Sequence, residues 1–135
     1  MALLFEHYAL ALLRERFKSG VIYQARGYCG RFIADFLLNT PGMKAVLDTK
    51  YIPKYDSKAE VDPQYIMQLS GYARDMALLK QLDIDAAEEE EAPVVPCVIL
   101  YPVLKDKMPK FKYSPKPLKH TLKFFKCPVP VPINN

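Results

Sequence analysis

Two aspartates and a lysine have the types and the spacing that metal-assisted hydrolysis needs. Asp35 and Asp48 stand among apolar residues in two segments whose composition is typical of β-strands. A carboxylate in such surroundings is costly unless it is paired or binds a metal ion. Lys50 follows Asp48 by two residues, so both side chains point to the same face of an extended strand. The three groups are therefore expected to converge at one end of a sheet.

This set of groups suits Mg²⁺, which binds a few carboxylates together with water and phosphate, and for which Mn²⁺ can substitute. A bound metal ion lowers the pKa of its water, and Lys50 would orient or deprotonate that water or stabilise developing charge. The backbone carbonyl of Thr49 would be a further ligand. The alternative is a structural ion pair between Asp48 and Lys50 at a strand end, and the spacing alone does not decide between the two.

The elements that must position these groups follow one another as helix, three strands, helix, strand and strand. The first helix covers residues 3–18 and is expected to turn Leu3, Leu10, Leu13 and Phe17 toward the core. The patterns then predict strands over 21–26, 31–38 and 44–51, a helix from Pro63 to about Leu82, and strands over 94–101 and 120–126. The turn-forming run 39–42 joins the second and third strands into an antiparallel hairpin.

The remaining segments read as connections. Residues 53–61 and 83–93 are polar or acidic and are expected to be loops, and the prolines of 128–132 predict an extended polyproline tail. The predicted helix after Pro63 would carry Ile66, Leu69, Tyr72, Ala73, Met76 and Leu79 inward. We expect one domain over residues 1–127 and a Pro-rich tail over 128–135.

Composition limits the class of protein. A chain of 135 residues that is 50% hydrophobic and 25% charged can bury one core, and no apolar run is long enough to cross a bilayer. Its three cysteines have no C-x-x-C spacing, which favours reduced thiols in a cytoplasmic protein. Residues 101–135 hold eight lysines and one acid, Asp106. Such a basic end can bind the phosphates of DNA, or it can simply be a solvated surface.

Two short stretches resemble the signature of the PD-(D/E)XK nucleases. They are Phe32-Ile33-Ala34-Asp35 and Val46-Leu47-Asp48-Thr49-Lys50-Tyr51, and the predicted order of elements resembles the shared core of that superfamily. The resemblance implies an α/β fold with a mixed central sheet flanked by helices, with Asp35 and Asp48 as metal ligands and Lys50 beside them. Glu6 lies where many members carry a further acid that supports the metal, often through water. Ala34 departs from the pattern, because a proline usually precedes the first acid.

The second helix supplies Gln68-Leu69-Ser70-Gly71-Tyr72, which is similar to the Q-x-x-x-Y motif of several branches of the superfamily. Gln68 would hydrogen-bond the metal-site water, DNA or Lys50, or else act as a structural amide at the sheet edge. Tyr72 would contact DNA or lie in the core. Lys54 and Lys58 would contact DNA phosphates or remain solvated loop residues.

More narrowly, three pieces together resemble the C-terminal nuclease part of the McrC family, the cleavage subunits of GTP-dependent McrBC restriction systems. They are Leu47–Tyr51, the spaced set Asp62, Tyr65, Gln68, Tyr72 and Ala73, and Val98–Pro102. This resemblance implies a Mg²⁺-dependent endodeoxyribonuclease whose partners are DNA and a McrB-like GTPase. Double-strand cleavage needs two active sites, which a homodimer or a larger assembly would supply. The N-terminal region by which McrC engages its GTPase is expected to be missing from these residues.

Two other functions fit the same sequence. One is a repair or recombination nuclease of the superfamily, and the other is a catalytically silent DNA-binding or assembly module. The presence of all three of Asp35, Asp48 and Lys50 favours an enzyme, because a silent module has no need of the full set. The sequence shows no phosphate-binding Gly-rich loop, so any use of GTP is expected to come from a partner.

Overall fold

A computed structural model describes residues 2–30, 32–52, 61–84, 94–104, 117–118 and 121–131. The elements are α1 (Ala2–Phe17), β1 (Val21–Arg26), β2 (Ile33–Asn39), β3 (Lys44–Thr49), α2 (Pro63–Tyr72), α3 (Met76–Gln81), β4 (Cys97–Leu104) and β5 (Phe124–Val131). The strands form one sheet in the order β1-β2-β3-β4-β5. β1, β2 and β3 pair antiparallel, whereas β3, β4 and β5 pair parallel. This confirms the predicted α/β class with a mixed sheet.

The core consists of two clusters of buried side chains, with α1 packed in one and α2 and α3 in the other. Phe5 and Ala9 of α1 join Phe36, Leu47 and other strand residues in the first cluster. Leu69 of α2 and Leu78 of α3 join strand residues in the second. β4 contributes to both clusters, as a strand buried on both faces does.

The buried face of α1 differs from the predicted one. Phe5 and Ala9 are its buried residues, whereas Leu3, which was expected to face the core, is 64% exposed. Leu10, Leu13 and Phe17 are partly buried against the same cluster. The helix is apolar around most of its first three turns, so the periodicity of its apolar residues could not select one face.

The hairpin of β2 and β3 confirms the antiparallel pairing predicted from the turn. Phe36 pairs with Leu47, and the ladder continues to Asn39 opposite Lys44. In the turn, the Thr40 hydroxyl accepts from the Met43 N–H at 3.0 Å. β2 begins at Ile33 and β3 ends at Thr49, so both strands are shorter than predicted, and Lys50 follows the strand instead of lying within it.

The single helix predicted from Pro63 to Leu82 is wrong, because the chain breaks into α2 and α3. Asp75 causes the break, since its side chain caps α3 by accepting from the Leu78 N–H at 3.0 Å. The same carboxylate accepts from the Tyr28 N–H at 2.9 Å. The break also changes the direction in which side chains point, and Met76, which was expected to face inward, is 63% exposed.

Asp75 also explains why residue 27 is a glycine. A Cβ added at Gly27 would lie 2.8 Å from Oδ1 of Asp75, which is too close for any side chain. The Gly27 N–H donates to the Phe32 carbonyl at 2.6 Å and closes the loop between β1 and β2. The start of α3 and the end of β1 are therefore joined through one buried carboxylate.

The C-terminal strand begins and ends later than predicted, at Phe124 and Val131, so the expected polyproline tail is wrong for residues 128–131. Tyr101–Leu104 of β4 pair in parallel with Pro128–Val131, so the sheet continues past the domain boundary predicted at residue 127. β4 likewise begins at Cys97, three residues later than predicted. Prolines are tolerated because, among the described residues, β5 lies at the edge of the sheet with β4 as its one neighbouring strand.

The direction of the β5 peptide groups explains the positions of its two prolines. The Lys123 carbonyl accepts from the Cys97 N–H of β4, whereas the Phe124 carbonyl accepts from the Leu118 N–H on the other side. Because successive peptide groups of a strand alternate in direction, Pro128 and Pro130 share the outward direction of Phe124. A proline there removes no hydrogen bond to β4.

Several sequence predictions fall outside the described residues. They include Lys54 and Lys58, nearly all of the two predicted loops, and six of the eight lysines in residues 101–135. In the part of the chain that is described, no helix has both the length and the apolar character needed to cross a membrane.

Candidate active site

The two candidate carboxylates lie side by side where β2 and β3 separate. The register that pairs Phe36 with Leu47 places Asp35 across from Asp48 when it is continued by one residue. Oδ2 of Asp35 accepts two hydrogen bonds from Thr49, one from the backbone N–H and one from the hydroxyl, both at 2.8 Å. These bonds fix the Asp35 carboxylate against the last residue of β3. The convergence expected from the hairpin is therefore present.

Asp48 is a buried acid whose proton is held unusually tightly. It is 4% exposed, and its Oδ2 is 2.9 Å from Nζ of Lys50. The pKa of Asp48 is raised to about 7, chiefly by burial and also by a hydrogen bond and the negative charge of Asp35, while Lys50 opposes the shift. Two adjacent carboxyl groups cannot both ionise cheaply without a cation. Near neutral pH this pair is therefore suited to exchange a proton for a cation.

One oxygen of Asp48 makes an ion pair but accepts no hydrogen bond of good geometry. Oδ2 is closed to solvent, and among the described residues it accepts no hydrogen bond. The ammonium of Lys50 is close enough for an ion pair but is not aligned as a donor. A buried carboxylate oxygen in this state is costly unless another positive group reaches it.

Lys50 is held as an ammonium ion. Its backbone N–H donates to the Leu100 carbonyl at 2.9 Å, and its Nζ lies 4.3 Å from the centre of the Tyr65 ring. Burial lowers the pKa of Lys50, but the close contact with the Asp48 carboxylate and the charge of that group outweigh burial, and the net shift is upward. A lysine with a raised pKa is a poor proton acceptor. Of the roles expected for Lys50, the arrangement favours orienting water and stabilising negative charge over removing a proton.

Glu6 reaches the site from α1 and lies beside Asp35. Burial raises the pKa of Glu6, a hydrogen bond from Tyr23 lowers it, and the neighbouring Asp35 raises it again. The Tyr23 hydroxyl donates to Oε2 of Glu6 at 2.7 Å, and its ring stacks on Phe36 with 5.5 Å between ring centres. Glu6, Asp35 and Asp48 thus form a row of acids with Asp35 in the middle. Nothing in the spacing of the sequence pointed to Tyr23.

The backbone of β1 is distorted directly opposite this row. Tyr23 pairs with Phe36 and Ala25 with Ala34, so Gln24 lies across from Asp35. Gln24 has a φ of 51°, a left-handed conformation that is uncommon for residues other than glycine. Its side-chain amide donates to the Tyr23 hydroxyl at 3.3 Å. Backbone strain of this kind is often found beside functional groups.

The two residues of the Q-x-x-x-Y stretch contact each other. Nε2 of Gln68 donates to the Tyr72 hydroxyl at 2.9 Å. Tyr72 is 8% exposed, belongs to the core cluster of α2 and α3, and has its ring centre 5.9 Å from that of Phe32. Of the two roles predicted for Tyr72, a contact with DNA or a place in the core, the structure shows the place in the core. Lys50 has Tyr65 as its aromatic neighbour in α2, a contact that the sequence analysis did not anticipate.

The acids present fit a metal ion that keeps much of its water. Within the described ranges, no three Asp, Glu, His or Cys side chains converge tightly enough to form a protein-only metal cage. Mg²⁺ does not need one, since it is commonly held by one or two carboxylates, waters and substrate phosphate. The Oδ2 of Asp48, which accepts no hydrogen bond from the described residues, and the raised pKa of that residue are features that a cation held by these acids would explain. The Thr49 carbonyl stays a predicted further ligand.

Comparison with known proteins supports the fold. No protein-family model matches the sequence, and no curated protein matches it. Among solved structures, the chain is similar to one chain of a half-complex from the tetradecameric assembly of Thermococcus gammatolerans McrB AAA+ hexamers with bound McrC. The identity is 16%, the TM-score is 0.58, and the match covers 98% of this chain and 28% of that one. The chain therefore has a McrBC-related fold and spans under a third of the protein it matches.

Proposed function

We propose that this chain is a metal-dependent DNA endonuclease of the PD-(D/E)XK type, similar to the cleavage subunit McrC. One observation carries the proposal: two adjacent carboxyl groups, Asp35 and the buried Asp48, meet an ammonium ion 2.9 Å from Asp48. A structural ion pair needs one acid for one lysine. With a second acid, two negative carboxylates lie side by side, which is costly unless a further cation binds them. A metal-dependent nuclease needs such a pair of carboxylates to hold its metal ion.

Each side chain has a distinct part in the proposed reaction. Asp35 and Asp48 would hold Mg²⁺, or Mn²⁺ in its place, and the ion would lower the pKa of a bound water and neutralise phosphate charge. Thr49 fixes Asp35 through two hydrogen bonds. Lys50 keeps its proton and orients water or stabilises the charge that develops on the phosphate. Glu6, held by Tyr23, supports the row of acids through Asp35.

The fold similarity supports the assignment to a McrBC-like system. The matched assembly consists of McrB AAA+ hexamers with bound McrC, and the sequence pieces that resemble McrC include the Asp48 strand and the start of α2. A McrB-like GTPase is accordingly the proposed partner, and GTP hydrolysis would belong to that partner.

Supercoiled plasmid provides the test. Incubation with Mg²⁺ or Mn²⁺ should give nicked and linear DNA, and EDTA should stop the reaction. Asp35→Asn, Asp48→Asn and Lys50→Ala should each lower the rate by at least about a hundredfold, as loss of a group that stabilises transition-state charge does. Glu15→Gln and Lys80→Ala, exposed residues of α1 and α3, are matched controls and should cut as the wild type does.

The other outcomes separate the alternative functions. Cleavage that survives Asp48→Asn and Lys50→Ala would contradict the proposed site. No cleavage by a folded protein that still binds DNA, with or without a McrB-like GTPase, would indicate the silent module. A strong preference for flaps or four-way junctions over plasmid would indicate a repair or recombination nuclease of the same fold.

A further inference from the structure

The ammonium group of Lys50 is held by two contacts of different kinds. One is the ion pair with Asp48 at 2.9 Å, and the other is the Tyr65 ring, whose centre lies 4.3 Å from Nζ. A cation within about 6 Å of an aromatic ring centre is attracted by the negative face of the ring. Lys50 follows the end of β3 and has a long flexible stem, so the backbone alone does not fix where its charge lies.

Tyr65 is itself firmly placed, and by residues outside the row of acids. It lies in the first turn of α2, where the Asp62 side chain caps the helix by accepting from the Gln64 N–H at 2.9 Å. The Tyr65 N–H donates to the Asp62 carbonyl at 2.9 Å, and Pro63 begins the helix. The ring packs at the margin of the core cluster of α2 and α3. The start of α2 therefore sets the position of the ring.

The two contacts respond differently to a cation on Asp48. The ion pair uses Oδ2 of Asp48, so Lys50 competes there with any cation that the carboxylate holds. The ring has no such competitor, because it attracts the ammonium without using an acid of the site. Without the ring, a lysine displaced from Asp48 would be free to turn into solvent.

We propose that Tyr65 is a positioning residue, whose ring keeps the Lys50 ammonium at the site when Asp48 is engaged by a cation. The catalytic consequence rests on the proposed function, whereas the hold on Lys50 does not. The ring face attracts the ammonium and the hydroxyl is not needed, so Tyr65→Phe should still hold Lys50 at the site. Tyr65→Leu keeps apolar packing at the margin of the core and removes the role.

The hold on Lys50 is tested in an Asp48→Asn background, which removes the ion pair, with Tyr65 as the wild-type residue of the comparison. The rate at which acetic anhydride acetylates each lysine is followed by mass spectrometry. In the Tyr65→Leu protein, Lys50 should be acetylated roughly 5- to 30-fold faster than with the wild-type residue, because the ammonium loses a stabilising contact and becomes more accessible. Tyr65→Phe should react as the protein with Tyr65 does. Lys44, whose Nζ donates to the Leu82 carbonyl at 2.6 Å, is the internal control and should not change.

A rise at Lys44 would mean that the variant has unfolded, and Tyr65→Met, which has an unbranched apolar side chain, then replaces it. Equal Lys50 rates in the protein with Tyr65 and in a folded Leu or Met variant would overturn the proposal. So would a Phe variant that reacts as fast as the Leu variant, since the hydroxyl would then be the group that matters.

The catalytic consequence is tested separately on supercoiled plasmid. Tyr65→Leu should lower kcat by a similar factor with KM unchanged, and it should have no further effect in a Lys50→Ala background. An equal loss in that background would contradict a role through Lys50. If the wild type does not cut DNA, the proposed function fails while the acetylation result still decides whether the ring holds the lysine.

Discussion

At the scale of single residues, Asp48 is the acid that makes the site sensitive to pH near neutrality. It combines deep burial, a second acid beside it and a lysine 2.9 Å away. The first two features favour a bound proton, and the third opposes it. The balance lies near neutral pH, so modest changes of pH alter the charge of Asp48.

Asp48 should make the metal-free protein less stable as pH rises. Its pKa is about 7 in the folded protein against an ordinary value of 3.8, so between these values the folded state keeps a proton that the unfolded state releases. The free energy of unfolding contributed by this group is therefore full below about pH 4 and is lost as pH rises through 7, with a slope of at most about 1.4 kcal/mol per pH unit.

Urea unfolding in EDTA from pH 4.5 to 7.5 measures that slope. Asp48→Asn should remove this contribution, and Glu15→Gln on the exposed face of α1 should leave it unchanged. If the free energy of unfolding changed equally with pH in the wild type and in Asp48→Asn, the proton would not be held at Asp48.

Tyr23 should tune the acidity of Glu6. Tyr23→Phe removes the hydroxyl that donates to Glu6 at 2.7 Å while keeping the ring that stacks on Phe36. Because burial raises the pKa of Glu6 and this hydrogen bond lowers it, the variant should show a still higher Glu6 pKa. NMR titration of the Glu6 carboxyl carbon measures the shift, with Tyr8→Phe on the same helix as the control. An unchanged Glu6 pKa would contradict the assigned contact.

At the scale of elements, the hairpin could be predicted from the sequence, whereas the helix break and the tertiary contacts around the hairpin could not. Thr40, Pro41 and Gly42 marked the turn between two β-rich runs, and that turn alone brings Asp35 opposite Asp48. The break after α2 could not be predicted, because the apolar spacing continues through it. In addition, the Asp75 carboxylate that caps α3 is held by the Tyr28 N–H, 47 residues away in the sequence. Tyr65 and Tyr23 could not be identified as partners of Lys50 and Glu6 for the same reason: their contacts are made only in the folded chain.

Asp75 should contribute more to stability than an ordinary helix cap. Asp75→Ala removes the cap of α3 and also leaves the Tyr28 N–H without its acceptor, for an expected loss of about 2 to 4 kcal/mol. Asp62→Ala removes the side-chain cap of α2 and should cost about 1 kcal/mol. Urea unfolding of the two variants gives the comparison. Equal losses would mean that the Tyr28 contact adds little.

At the scale of the whole molecule, the site joins elements from both sides of the sheet. Glu6 comes from α1, Asp35 and Asp48 from β2 and β3, and the ring over Lys50 from α2. A ligand that binds only when these elements are assembled stabilises the entire fold by mass action.

Divalent cations should therefore raise the melting temperature. At ten times its dissociation constant, a single bound ion stabilises the folded state by about 1.4 kcal/mol, or roughly 4 to 7 °C for a domain of this size. Thermal unfolding with Mn²⁺ or Mg²⁺ against EDTA measures the shift. Asp35→Asn and Asp48→Asn should abolish it, and a rise that persists in both variants would place the ion elsewhere.

The two outward-facing prolines of β5 also affect how copies of this chain can meet. An exposed edge strand usually offers a row of N–H groups on which another strand can pair, which leads to edge-to-edge association. Pro128 and Pro130 remove two donors from that row. We therefore expect this edge to resist strand addition and the aggregation that follows from it. Copies of this chain are therefore not expected to associate by strand pairing along the β5 edge.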